Sequence, residues 1–317
     1  MRKTNMWLVG FVLVCLYFTN CIEQKSEKMD SKENITVKVS DNNAVFTIKE
    51  VKICSYAYEH SFFKPYVKEL FTPNGVNVLL DSPRDHKHHH GLMYAIKVNG
   101  TNFWEEVEKS GREEPESILK ISASSSNKGD DVGFKSTLNW VDGDGANLMT
   151  ENRSIYVQNA QQFNARLLTW QSNFNTTNDG GDLSLTGSHY HGLGMRFIPE
   201  MDEIGAFFTA ENKEGTIFRG EERLIPDRWC AYTAPVNGKN VTVAMFGHPE
   251  NPNGDTVWFT MKTSFAYMSA TMALHETPYI LKSGDALMLN YGVALWDGKV
   301  DKNTIEQTYQ FWVNQIK

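Results

Sequence analysis

The chain has 317 residues, 41% of them hydrophobic and 22% charged, with a formal net charge of −7. That is a globular composition, and it excludes disorder, collagen and coiled coil. The acidic balance, without a long basic run, argues against nucleic acid as a partner. Aromatic residues make up 12%, with eight Trp and twelve Tyr, a content that suits β-strands and stacking on sugar rings.

Arg2 and Lys3 precede the apolar run Trp7-Leu8-Val9-Gly10-Phe11-Val12-Leu13-Val14-Cys15-Leu16-Tyr17-Phe18. A charged start and an apolar stretch of about 12 residues have signal-peptide proportions and are too short for a confident membrane span. Residues 1–20 are read as a leader. Cys21 follows directly, as in a bacterial lipoprotein, although Asn20 is a poor match to the small residue usual there. A plain secretory leader is the simpler alternative. The lipoprotein is preferred because residues 21–34 read as a polar tether. It places the protein in the periplasm or on the cell surface, held at the outer membrane by the lipid on Cys21 and not by a span.

From residue 35 to 317 the chain reads as a single domain. Short β-type runs dominate it: Ile35-Thr36-Val37-Lys38-Val39, Ala44-Val45-Phe46-Thr47-Ile48, Val76-Asn77-Val78-Leu79-Leu80, Ser154-Ile155-Tyr156-Val157, Val241-Thr242-Val243-Ala244-Met245-Phe246 and the stretch from Ala286 to Val293. Turn signals such as Asn99-Gly100, Asp142-Gly143, Asn178-Asp179-Gly180-Gly181, Asn237-Gly238 and Asn253-Gly254 separate them. Residues 105–130, rich in charge and Ser, read as a loop or an edge hairpin. Near the C-terminus, Ile305, Tyr309, Trp312 and Val313 fall at i, i+4, i+7 and i+8, which predicts one amphipathic helix docked at a sheet edge. The fold class is therefore all-β, a large antiparallel sandwich with a short C-terminal helix. With Cys15 in the leader and Cys21 lipidated, Cys54 and Cys230 stand as either one disulfide or two buried thiols.

Six of the nine His lie in two motifs, Asp85-His86-Lys87-His88-His89-His90-Gly91 and Gly187-Ser188-His189-Tyr190-His191-Gly192. Such clusters suit metal ligation, acid–base chemistry or a sugar subsite. If these segments are strands, i and i+2 share a face, so His86 with His88, or His189 with His191, would converge on one ion. Asp85, His86 and His88 would then hold one divalent metal, although the spacing matches no strong zinc signature. As acid–base groups, His residues suit proton transfer near neutral pH. Arg84, Arg196 and His191 would bind an anionic substrate group. A further cluster, Asp227-Arg228-Trp229, combines a ring with charged neighbours and suits a sugar platform, or equally a core position. His248 lies in a third candidate, Gly247-His248-Pro249-Glu250.

The motif Asp85-His86-Lys87-His88-His89-His90-Gly91-Leu92, followed by Asn99-Gly100-Thr101-Asn102-Phe103-Trp104, resembles an exported bacterial family of uncharacterised proteins labelled "methane oxygenase PmoA". Glu151-Asn152-Arg153, the segment from His191 to Arg196, the segment from Arg228 to Tyr232 and the segment from His248 to Pro252 extend the resemblance from about residue 60 to the C-terminus. His191 stands where the family more often has Glu, and Trp296 where it more often has His. The resemblance implies a sandwich like those of galactose mutarotases and polysaccharide lyases. It also implies a setting in carbohydrate degradation. No segment after the leader reaches transmembrane length, so a membrane oxygenase subunit is not expected.

The function expected is an exported carbohydrate-active enzyme of lyase, dehydratase or hydrolase type. His88, His89, His191 and Arg196 would carry catalysis, and Arg84, Tyr190, Arg228, Trp229 and His248 would bind substrate. Two alternatives stand beside it. One is a non-catalytic glycan-binding lipoprotein using Trp104, Trp229 and Trp258 on one face. The other is a metal-dependent oxygenase.

Overall fold

The computed structural model describes Met1 and residues 35–59, 62–121, 132–177 and 181–316. The leader, Cys21, the tether and most of the turn at 178–181 lie outside the described residues. Among those described, strands that alternate in sequence alternate in burial. In Ile35–Val39, Ile35 and Val37 are buried while Thr36 and Lys38 face solvent. In Asn43–Ile48, Ala44, Phe46 and Ile48 point inward. This two-residue period fixes which face each strand turns to the core.

Among the described residues the strands form two large antiparallel sheets and one small one. The first has ten strands, in the order Ile35–Val39, Asn43–Ile48, Val51–Ala57, Tyr66–Leu70, Leu92–Ala95, Gly192–Arg196, Tyr267–Thr271, Val257–Met261, Arg223–Pro226 and Thr216–Ile217. The second has eight, in the order Ala206–Thr209, Trp229–Val236, Lys239–Gly247, Ala286–Asp297, Ala165–Thr176, Asn147–Ala160, Val132–Val141 and Arg112–Ile121. One apolar cluster joins side chains from both. The architecture is the antiparallel sandwich expected from the sequence. Asn237-Gly238 closes a two-residue hairpin with φ of 51° and 75°, the left-handed pair such a turn demands. Residues 112–121 and 132–141 form the edge hairpin alternative for the charged stretch. Pro115 sits on that edge strand, where a missing N–H leaves the sheet ladder least disturbed.

The C-terminal helix is Lys302–Val313, capped by Asp301, whose side chain accepts from the Thr304 N–H. Ile305, Tyr309 and Trp312 are buried as the spacing predicts. The docking place differs from the expectation. The helix covers the face of the eight-stranded sheet, against Ala231, Ala244, Phe246, Ala294 and Trp296 from its inner strands. Small residues there make room for the indole: a Cβ on Gly292 would stand 2.8 Å from Trp312. Burying each large side chain contributes roughly 1.5–3 kcal/mol.

The core also holds charge. Arg153 is fully buried, and its guanidinium donates to Glu151 at 2.7 Å, to Glu113 at 2.8 Å and to the Tyr56 hydroxyl at 3.1 Å. It lies over the Trp170 ring at 4.6 Å. Burial pushes the Glu113 carboxyl up to about 8, against the pull of Arg153.

Several expectations need correction. Val76–Leu80 is not a strand: it carries only isolated bridges, and the Asn77 side chain takes the Leu70 and Leu79 N–H groups instead. Cys54 and Cys230 are both buried free thiols, so the two-thiol alternative holds. Trp229 is no sugar platform. It is fully buried beneath the C-terminal helix, and it and Arg228 both donate to Glu306. Trp258 is also buried, donating to the Asp227 carbonyl. His248 is buried against Trp312. No helix among the described residues is long and apolar enough to cross a membrane.

Candidate functional site

The first His motif is a pair of tight turns, not a strand. The His86 N–H reaches the Pro83 carbonyl, the His89 N–H reaches His86, and the Ser82 N–H closes back on His89. Alternation therefore does not govern where these rings point. Gly91 ends the turn where a Cβ would stand 2.2 Å from the Val67 carbonyl, so only glycine allows the approach. His90 is anchored below. Its two ring nitrogens meet Asp81 at 2.8 Å and Glu106 at 2.9 Å, and it stacks on Tyr66. Burial opposes its charge, but the two carboxylates outweigh burial and raise its pKa.

The other three rings form a cluster. His86 and His89 stack with centroids 4.6 Å apart, and His88 meets His89 edge-on at 4.7 Å. His86 Nδ1 lies 2.8 Å from Asp85 Oδ2. That bond, more than any other interaction, holds the Asp85 carboxyl below its ordinary range. Behind Asp85 stands Arg196, its guanidinium 3.6 Å from the Phe265 ring centroid and one nitrogen 3.9 Å from Asp85 Oδ2. Burial lowers the Arg196 pKa, opposed by Asp202 and Asp85.

These groups border a cavity of about 420 Å³, within the usual range of small-molecule sites. Five aromatic residues wall it: Trp104, Tyr190, Phe259, Phe265 and Tyr267. His86, His88 and His89 supply imidazoles, and Glu105, Glu222 and Arg219 supply charge. Burial holds His89 down to about 2, with help from His88, His86 and Arg196. Burial also lowers His88, against Glu105, whose carboxylate stands 3.6 Å away. Several buried polar atoms around the cavity have no hydrogen-bond partner among the described residues. They are Trp104 Nε1, Tyr267 OH, His89 Nδ1, His191 Nδ1 and two nitrogens of Arg196. Their concentration here offers donors and acceptors to solvent or to a polar ligand.

The second His motif is also a turn, and its two rings diverge. His189 stacks on Phe218 and meets Glu222 at 3.2 Å. His191 lies flat against Trp104, 4.7 Å between centroids and 7° from parallel. Burial lowers His191 to about 3.

With the geometry in place, comparison with known proteins adds a family. The chain belongs to DUF6807. That family of unknown function matches residues 43–310, and nothing in the comparisons attaches a methane oxygenase activity to it. No curated protein matches the chain. Among solved structures, this DUF6807 chain is similar to the α-galactosidase from Lactobacillus brevis, at 7% identity and a TM-score of 0.47 over 87% of this chain and 41% of that one. It is also similar to the GH36 α-galactosidase AgaA from Geobacillus stearothermophilus, at 9% identity and a TM-score of 0.44 over 87% and 42%. The chain thus spans about two fifths of these proteins' length, and identities this low carry nothing about activity.

In the DUF6807 chain, His86, His88, His89 and Tyr190 come together at the cavity, with His191 and Arg196 in the layer behind. Arg84 is exposed and does not line it. Arg228, Trp229 and His248 belong to the helix-covered face. The metal triad Asp85, His86 and His88 is not assembled. Among the described residues no group of three His, Cys, Asp or Glu is placed to hold an ion, and Asp85 already takes His86 Nδ1. Sequence reasoning missed Glu105, Arg219, Glu222, Phe259, Phe265 and Tyr267. Only Glu105 carried a signal, as the neighbour of Trp104.

Proposed function

We propose that this protein is an exported carbohydrate-active enzyme in which His86, oriented by Asp85, moves a proton at the bound sugar. The observation that supports this most is the pairing of an Asp-bound imidazole with an aromatic-walled cavity. With Nδ1–H donating to Asp85, Nε2 is the basic atom of His86, and the carboxylate stabilises the imidazolium once the proton is taken. His88 is the second imidazole of suitable exposure and serves as the partner acid or base. The aromatic walls receive the C–H faces of a pyranose ring. Export through the leader and a lipid on Cys21 belong to the same reading. Radiolabelled palmitate on the wild type but not on Cys21→Ala tests them.

Assay on a panel of glycosides and oligosaccharides tests the enzyme reading. His86→Ala should lower turnover by about 10²–10⁴-fold with a small loss of melting temperature, because its ring is the more exposed of the stacked pair. His89→Ala should instead lose stability, because that ring is packed among His86, Phe265 and Tyr267. Equal turnover in His86→Ala and wild type would refute the role of His86. A second reading, a glycan-binding lipoprotein, draws on the aromatic walls alone. Sugar binding without turnover in the wild type, unaffected by His86→Ala, would establish it.

A further inference from the structure

Charge around the cavity is unevenly distributed. Of the cations near it, Arg219, Arg196, Lys64 and Arg84 are paired or held off, and Lys87 and Lys97 do not line it. Arg219 lines the cavity but bonds Glu222 at 2.6 Å. Arg196 is buried behind Phe265 and faces Asp85. Lys64 is fully buried and bonds Glu106 at 2.6 Å and the Trp104 carbonyl. Arg84 is exposed outside. Against them, Glu105 lines the cavity with a side chain 40% exposed, and its nearest counter-group is the ring of His88 at 3.6 Å. Among the described lining residues, the Arg219–Glu222 pair cancels and one carboxylate is left over. The other polar residues that line it are His86, His88, His89, Tyr190 and Ser264, while the Tyr267 hydroxyl and the Trp104 indole N–H are buried behind the wall.

We infer that the cavity selects an uncharged, polyhydroxylated sugar and discriminates against uronides and sulfated sugars. The inference rests on the carbohydrate reading above and narrows it. A carboxylate such as Glu105 accepts two O–H donors from adjacent hydroxyls, a geometry that neutral pyranoses offer. An acidic substituent there would meet a like charge with no unpaired Arg or Lys among the described lining residues to offset it. The expectation of an anionic substrate held by Arg84, Arg196 and His191 loses its ligands, since none of the three lines the cavity.

The test uses the full chain in detergent and titration calorimetry with matched pairs: methyl glucoside and glucuronide, methyl galactoside and galacturonide, methyl mannoside and mannuronide. In the pair that binds, the neutral member should bind at least tenfold more tightly. Glu105→Gln should shrink that ratio below about threefold by improving the acid. Arg219→Gln, which unmasks Glu222, should widen it. An acid binding as well as its neutral partner in the wild type would overturn the inference and leave the carbohydrate reading intact. So would a ratio that neither substitution moves. Binding of no member of any pair by folded protein would overturn the carbohydrate reading, and the inference with it.

Discussion

His191 offers a stability test whose sign and size follow from its surroundings. The ring lies parallel to Trp104 at 4.7 Å, is almost fully buried, and its Nδ1 has no partner among the described residues. Burial, then the charge of Lys97, lowers its pKa from 6.5 to about 3. The folded protein therefore holds His191 neutral in a range where the unfolded chain protonates it. A depressed folded pKa gives stability that is whole above the unfolded value and is lost as pH falls below it. Between pH 7.5 and 4.5, the unfolded His takes up nearly a full proton over two pH units and the folded one almost none. At 1.36 kcal/mol per unit, that is about 3 kcal/mol. His191→Gln keeps a planar polar group of similar size but does not titrate. Urea unfolding of both proteins, followed by Trp fluorescence at pH 7.5, 6.5, 5.5 and 4.5, gives the difference in stability. Taking the difference cancels the other groups, including His90, whose raised pKa acts in the opposite sense. The wild-type advantage should hold flat above pH 6.5 and shrink by about 3 kcal/mol by pH 4.5. Parallel curves would show that the ring titrates alike in both states and would refute the stacked, buried site described for it.

Asp85→Asn should preserve the fold and lower turnover by about 10²–10⁴-fold, with the pH optimum of the residual activity displaced; a pH–rate profile checks this. Trp312→Ala empties the space between the helix and the eight-stranded sheet and should cost about 3–5 kcal/mol in denaturant unfolding, leaving sugar binding untouched in the protein that is folded. Arg153→Ala strands Glu113 and Glu151 in the core and should cost about 3–5 kcal/mol by the same measurement. Trp229→Phe loses the bond to Glu306 but keeps a buried ring, so calorimetry should find glycan affinity unchanged.

Strand identity was legible because it is local. Side-chain alternation in Ile35–Val39 and Asn43–Ile48, and the Asn-Gly pairs that need left-handed backbone, are written in adjacent residues. The helix face was legible for the same reason. Its docking place was not, because the small residues that receive Trp312, such as Gly292 and Ala294, sit within an ordinary apolar strand. Val76–Leu80 misled because Val78 and Leu79 are buried without a ladder, the Asn77 side chain standing in for a neighbouring strand. The site divided in the same way. The His motifs were visible as composition, but ring direction depends on turn geometry that alternation cannot give. Phe265 and Tyr267 reach the cavity from a stretch more than 170 residues past the first His motif, and no short-range pattern links them.

The arrangement around His86 shows how a sandwich can orient an imidazole held in a surface turn. The imidazole is fixed by Asp85, Asp85 is faced by Arg196, and Arg196 is fixed by the ring of Phe265 and by its place on the strand Gly192–Arg196. That strand is paired on both sides, with Leu92–Ala95 and Tyr267–Thr271, so the last member of the chain sits on one of the best-supported parts of the sheet. The exposed end is a turn, where rings are accessible; the buried end is sheet, where geometry is held. The cost is a guanidinium in the protein interior with two nitrogens that find no partner among the described residues. Replacing it with an apolar side chain would relieve that cost while removing the cation that faces Asp85. Arg196→Met should therefore change stability little yet raise the Asp85 pKa, because an opposite charge nearby favours the ionised carboxyl. NMR titration of the Asp85 carboxyl reads this directly. An unmoved pKa would mean that Arg196 serves packing alone and that Asp85 is set by His86 without it.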